Sequence, residues 1–86
     1  GMTKTLALEF ASDNILTNAI SPGFTLTKLT ESTNTPEELQ NIKKEIPLKR
    51  MAKPEEIADI AVFLSSELNH YITGQNIVID GGYTIK

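Results

Sequence analysis

The sequence has no cysteine and no tryptophan, a single histidine, and aromatic residues at only 6% of its 86 positions. Without cysteine there is no disulfide framework and no thiolate metal site, and the absence fits a reducing compartment. His70 alone cannot assemble a zinc site, so no metal ligands are assigned. Basic residues are outnumbered 11 to 8 by acidic ones, a net charge of -3, which argues against a protein that reads a phosphate backbone. No apolar run approaches the ~20 residues of a bilayer span, and no signal-type leader is visible at the start. Nucleic acid and membrane are therefore excluded as partners, and a cytoplasmic location is the expectation. With about 150 residues as an ordinary domain length, 86 residues make at most one small domain with a thin core.

What is present is a succession of short, well-punctuated elements. Met2, Leu6 and Phe10, widened by Ala7 and Ala11, predict a helix over residues 2–12. It begins in mid-pattern with no capping residue before it, as though the chain continued a longer one. Asp13-Asn14 signals a turn, residues 15–21 predict a strand, and Pro22-Gly23 ends it. A polar loop over 25–34 leads to Thr35, Pro36 and Glu38, the N-cap, first position and capping-box acid of a helix. Leu39, Ile42 and Ile46 give that helix only a narrow apolar stripe, the profile of a surface lid, and Pro47 stops it.

Leu48 to Lys53 is a linker. Pro54, Glu55 and Glu56 then open a further helix, apolar over most of its circumference from Ile57 to Leu64 and expected to be buried on two sides. Asn76 to Asp80 predicts a short, fully buried strand ended by Gly81-Gly82. The fold class is α/β, in the order helix, strand, lid helix, helix, strand. Two apolar strands joined through helices imply a parallel pair, and parallel strands want cover on both faces that two strands cannot supply. The pattern is therefore that of part of a doubly wound, Rossmann-like sheet.

Four stretches, taken in order, resemble one family. Thr3-Lys4-Thr5-Leu6-Ala7-Leu8-Glu9 is similar to the second half of the active-site helix of the short-chain dehydrogenases/reductases. Asn18 to Phe24, followed by Thr27, resembles their strand, Pro-Gly turn and loop. Ile46-Pro47-Leu48-Lys49-Arg50-Met51-Ala52-Lys53-Pro54-Glu55-Glu56-Ile57-Ala58 resembles the linker into their last helix, and Tyr71 to Gly82 their final strand and tail. The likeness covers nearly the whole chain and is nearest to 3-oxoacyl-acyl-carrier-protein reductase-like members. It implies that residues 1–86 are the C-terminal part of a single dehydrogenase domain, with 25–46 as the substrate-lid insertion.

The same resemblance implies an NAD- or NADP-dependent hydride transfer between nicotinamide and an alcohol or ketone in the intact enzyme. Pro22, Gly23, Phe24, Thr25 and Thr27 are then the cofactor-binding residues. A backbone group near Thr25 reads the carboxamide and the hydroxyl at Thr27 supports it. On the residues alone, Pro-Gly after a strand is simply a turn, and 29–46 an ordinary amphipathic surface helix. The family's glycine-rich turn, catalytic Ser and Tyr-x-x-x-Lys pair have no counterpart here, and Lys4 has no Tyr four residues before it. No catalytic residue is assigned, no tight cofactor binding is expected of this chain alone, and it is read as inactive by itself.

Two other readings stay open: a non-catalytic oligomerisation module, and one half of a split oxidoreductase completed by another chain. The resemblance implies a homo-oligomer formed through the last helix and last strand. Lys49 and Ala52 stand where many relatives have Gly. Arg50 is either an anchor for a helix or partner carbonyl or a solvated linker residue. Ser21, His70 and Asp80 are the residue types of a hydrolytic triad but lack any nucleophile-elbow context.

Overall fold

Two short strands lie side by side at the middle of the computed structural model, which spans Gly1–Lys86. β1 (Ala19–Pro22) pairs in parallel with β2 (Asn76–Ile79), Ala19 opposite Asn76 and Pro22 opposite Ile79. Parallel strands need a long crossover, and everything from Gly23 to Gln75 supplies it. The α/β class with a parallel pair is as expected from the apolar runs.

β1 is shorter than the strand predicted over 15–21. Ahead of Ala19 the ladder is replaced by side-chain bonds. The Asn18 amide donates to the Ile72 carbonyl at 2.9 Å and accepts the Gln75 N–H at 3.1 Å, while the Thr17 N–H donates to Thr73 Oγ1 at 2.9 Å. Short polar side chains offer the backbone such alternatives to a regular ladder. At the other end Pro22 stays within the strand. Its missing donor costs the ladder nothing, because the bonds to β2 run from alternate residues, the Ala19 N–H to the Gln75 carbonyl and the Gly23 N–H to the Ile79 carbonyl, each at 2.8 Å.

α1 (Met2–Phe10) stops before Ser12 and tightens into a 3-10 turn over Ala11–Asp13. Asn14 closes it in the left-handed conformation, φ 59°, which an amide side chain tolerates better than most. The polar loop expected over 25–34 contains a helix, α2 (Lys28–Thr33), that was not predicted. Thr27 caps it, its Oγ1 accepting the Thr30 N–H at 3.1 Å. In the sequence, a Thr-rich run with one apolar residue carries no helical periodicity. Local capping produced this helix.

α3 (Pro36–Glu45) begins with the predicted capping box. Glu38 N–H donates to Thr35 Oγ1 at 3.1 Å, and Thr35 N–H donates back to Glu38 Oε1 at 2.8 Å. α4 (Pro54–Ser65) follows, with Pro54 at its first position. Its end is closed by buried Asn69, whose amide donates to the Leu64 and Ile72 carbonyls at 3.0 and 3.1 Å.

The expected burial of the last helix and last strand is not found. No residue of α4 is buried and Val62 is 67% exposed; along β2, Val78 faces solvent between half-buried Ile77 and Ile79. In the whole chain only Ala7, Ile46, Met51 and Asn69 are buried. The radius of gyration is 15.8 Å, against about 12 Å for a compact chain of this length. The molecule is elongated, 50 × 23 × 20 Å, and its sheet and helix faces stand open. Apolar patterning is present, but this chain holds too few layers to cover it.

Candidate functional site

Because β1 and β2 are parallel, their carboxyl ends emerge side by side, the position at which open α/β sheets take ligands. Gly23 follows β1 and Asp80 follows β2, and they lie very close. A Cβ on Gly23 would stand 2.7 Å from the Asp80 Cβ and 2.9 Å from its Cα. Only a residue without a side chain allows this approach.

Beyond that contact opens a groove of about 390 Å³, lined by Pro22, Gly23 and Phe24 from one strand end and by Val78, Asp80 and Tyr83 from the other. Phe24 and Tyr83 meet edge to face, ring centres 5.2 Å apart and planes at 81°. Gly81 and Gly82, both at positive φ, turn the chain back so that the 3-10 turn Tyr83–Ile85 comes up against Phe24. Asp80 and Tyr83 were not among the predicted site residues. The signal available was a strand ending in Asp-Gly-Gly with an aromatic immediately after it.

Of the five predicted residues, Pro22, Gly23 and Phe24 share the groove, and Thr25 and Thr27 lie outside its lining. Thr25 sits in a one-residue parallel bridge with Ala52, in which Leu26 N–H donates to the Ala52 carbonyl at 2.9 Å and Ala52 N–H to the Phe24 carbonyl at 3.0 Å. That pairing leaves the Thr25 N–H with no acceptor in the chain, while the Thr25 carbonyl accepts Thr30 Oγ1 at 3.1 Å. The Thr27 hydroxyl is committed to the start of α2, 2.9 Å from Thr30 Oγ1 and 3.1 Å from the Thr30 N–H. It is a helix cap first.

Two polar side chains of the groove, Asp80 and Ser21, are also committed. Asp80 Oδ1 accepts the Gly82 N–H and Oδ2 the Thr84 N–H, each at 3.0 Å. Hydrogen bonding from Thr84, and then from the Gly82 amide, holds the Asp80 carboxyl below its ordinary range. Such a carboxylate shapes a turn and is poorly placed to exchange protons. Ser21 Oγ donates to Asn76 Oδ1 at 2.8 Å, and His70 lies outside the groove lining, so Ser21, His70 and Asp80 form no triad. No three metal-ligating side chains gather anywhere in the chain. The groove offers an apolar wall, with a free backbone donor on Thr25, the residue after Phe24.

Behind the loop, Arg50 grips Glu56 with two bonds, Nη1 to Oε1 at 2.7 Å and Nη2 to Oε2 at 2.8 Å. The Lys53 N–H adds a third at 2.8 Å, and with Arg50 it takes the Glu56 carboxyl down to about 2. Arg50 is thus an anchor on the first turn of α4. Lys49 adopts φ 60°, which explains why its position suits glycine. No helix of the chain is long and apolar enough to cross a membrane.

A family model described as Enoyl-(Acyl carrier protein) reductase matches residues 1–84. The NAD-dependent glycerol dehydrogenase of Listeria innocua is 48% identical over 85 residues, covering 99% of this chain and 34% of that protein. The 3-oxoacyl-[acyl-carrier-protein] reductase FabG of Thermotoga maritima is 49% identical over 86 residues, with the same coverage of 99% and 34%. Among solved structures, a short chain dehydrogenase family protein from Francisella tularensis superposes with a TM-score of 0.88 at 38% identity, over 99% of this chain and 39% of that one. The chain spans about a third of the length of the curated relatives it matches. In sequence and in fold alike, it belongs to the short-chain dehydrogenase/reductase family.

Proposed function

We propose that this chain forms the C-terminal wall of the nicotinamide pocket, and the lid, of an NAD(P)-dependent short-chain oxidoreductase acting on an alcohol or ketone. The observation that carries the reading is the groove where Gly23 meets Asp80, with Phe24 beside it and the unpaired Thr25 N–H next along the loop. When bound, the nicotinamide supplies or accepts the hydride. The chain's own residues orient it: Pro22 and Phe24 bound the ring's position, and the Thr25 N–H donates to the carboxamide. The lid, residues 25–46, closes over the substrate and excludes water.

The groove's one carboxylate, Asp80, is held by the Gly82 and Thr84 N–H groups and is not available as a general acid, and we assign the proton and the pyrophosphate to residues outside this chain's own set. We therefore take residues 1–86 as the C-terminal part of a larger dehydrogenase domain, inactive and without tight cofactor affinity by itself. The substrate class follows the acyl-carrier-protein reductases and simple alcohol dehydrogenases it is similar to, in the cytoplasm. Titration of the chain with NADH, followed by fluorescence, is expected to show no saturable binding below the millimolar range. Tight binding would overturn this reading. Co-expression with a separate cofactor-binding half tests the split-enzyme version, which fails if no NAD(P)H oxidation is recovered.

A second reading, a self-associating module, is favoured by the open apolar faces of α4 and β2, where Val62, Phe63 and Val78 are exposed. Uncovered edges and faces of this kind pair with a copy or a partner. A cooperatively folded monomer at tens of micromolar by light scattering contradicts it.

A further inference from the structure

The lid helix α3 is tied down at one end only. Its amino end is closed by the local Thr35–Glu38 box, whereas its carboxyl end is bound to the segment after β2 at several points. Ile46, 2% exposed, fits so tightly over Gly81 that a Cβ there would stand 2.9 Å from Ile46 Cγ2. Leu48 N–H donates to the Gly81 carbonyl at 3.2 Å, and the Pro47 ring lies against Gly82. The last turn of a helix leaves carbonyls without partners and favours a nearby cation. Lys86, 41 residues further along, fills that role: its Nζ donates to the Glu45 carbonyl at 2.9 Å and to Glu45 Oε2 at 2.8 Å.

The same ammonium lies 4.1 Å from the centre of the Tyr83 ring, which in turn meets Phe24 edge to face. One side chain thus touches both the end of the lid and the aromatic pair that lines the groove. We propose that Lys86 is a positioning residue that joins the last turn of α3 to the Tyr83–Phe24 pair, so that the fixed end of the lid and the aromatic wall of the groove move as one body. The consequence for catalysis rests on the oxidoreductase reading given above; the latch itself does not.

The test is residue-resolved hydrogen exchange and ring-proton NMR on the full chain, comparing wild type with Lys86→Met, Lys86→Arg and Glu45→Gln. Lys86→Met and Glu45→Gln are expected to speed exchange of the amides at 43–48 by about two- to threefold, the scale of an exposed ion pair. Both are expected to shift the Phe24 ring resonances, while the β1–β2 amides stay unchanged and Lys86→Arg stays close to wild type. The proposal is overturned by unchanged exchange at 43–48 in Lys86→Met, by unmoved Phe24 resonances, or by a uniform rise across β1 and β2. Absence of protection at 43–48 in the wild type overturns it as well. In an oxidoreductase carrying this sequence, Lys86→Met is expected to raise KM with little change in kcat; a loosened lid with unaltered KM removes the link to the site. Inactivity of wild type and variant together counts against the oxidoreductase reading, and the exchange data still decide the latch.

Discussion

Replacing Gly23 by Ala places a methyl group where the structure has no room for it. The new Cβ would lie 2.7 Å from the Asp80 Cβ and 2.9 Å from its Cα, and one of these neighbours is backbone that cannot swing aside. Reaching ordinary van der Waals contact, 3.4 Å or more, requires the two strand ends to separate by about 0.7 Å. That movement stretches the Gly23 N–H bond to the Ile79 carbonyl, now 2.8 Å, at the last rung of the sheet. Overpacking contributes about 1–3 kcal/mol and the weakened hydrogen bond about 1 kcal/mol, so Gly23→Ala is expected to destabilise the fold by about 2–4 kcal/mol. Against the marginal stability of a chain with four buried residues, this is a large share. Urea denaturation followed by circular dichroism measures it, with Gly1→Ala as the control, since nothing lies within 4 Å of a Cβ there. A Gly23→Ala midpoint indistinguishable from the control would refute the argument from close approach.

The Glu56 carboxyl titrates at about 2 in the folded chain against an ordinary 4.5, so the stability it lends is fully present above pH 4.5 and fades as pH falls toward 2. Glu56→Gln should flatten the fall of the thermal midpoint across that window, and parallel curves for variant and wild type would contradict this. Lys49→Gly relieves a left-handed residue at φ 60° and is expected to raise stability by about 0.5–1 kcal/mol, read as a higher urea midpoint; an unchanged or lower one counts against it. Thr35→Ala removes the N-cap of α3 and is expected to lower stability by about 1 kcal/mol, seen as lost helical signal and faster amide exchange in the first turn of α3.

Local rules of the sequence carried most of the architecture. The Thr35-Pro36-Glu38 box, the Pro54 start of α4 and the Asn76–Ile79 strand are all specified by residues within a few positions, and each is where its pattern predicts. The strand pattern runs further back than β1 because Thr17 and Asn18 are compatible with a strand, whereas Ile72, Thr73 and Gln75 take their hydrogen bonds. α2 has no signature in the periodicity because its cause is a single hydroxyl, that of Thr27. Burial of α4 and β2 is not legible in the sequence, because apolar composition describes what a face needs and not what this chain provides. At the candidate groove, the Pro-Gly turn after a strand marks the strand end whose Pro22, Gly23 and Phe24 line it. The contributions of Asp80 and Tyr83 depend on a register between residues more than fifty apart, which no local pattern encodes.

The account stands on the Gly23–Asp80 groove being the C-terminal wall of a nicotinamide pocket. Its most direct test is a chimera in which this chain replaces the matching third of the Thermotoga maritima reductase, assayed for NAD(P)H oxidation with a ketone substrate. The chimera is expected to oxidise NAD(P)H and to lose that activity when Gly23 is changed to Ala, while this chain alone neither oxidises nor tightly binds the cofactor. A folded chimera that binds NAD(P)H but transfers no hydride, or one whose activity is indifferent to Gly23→Ala, would contradict it.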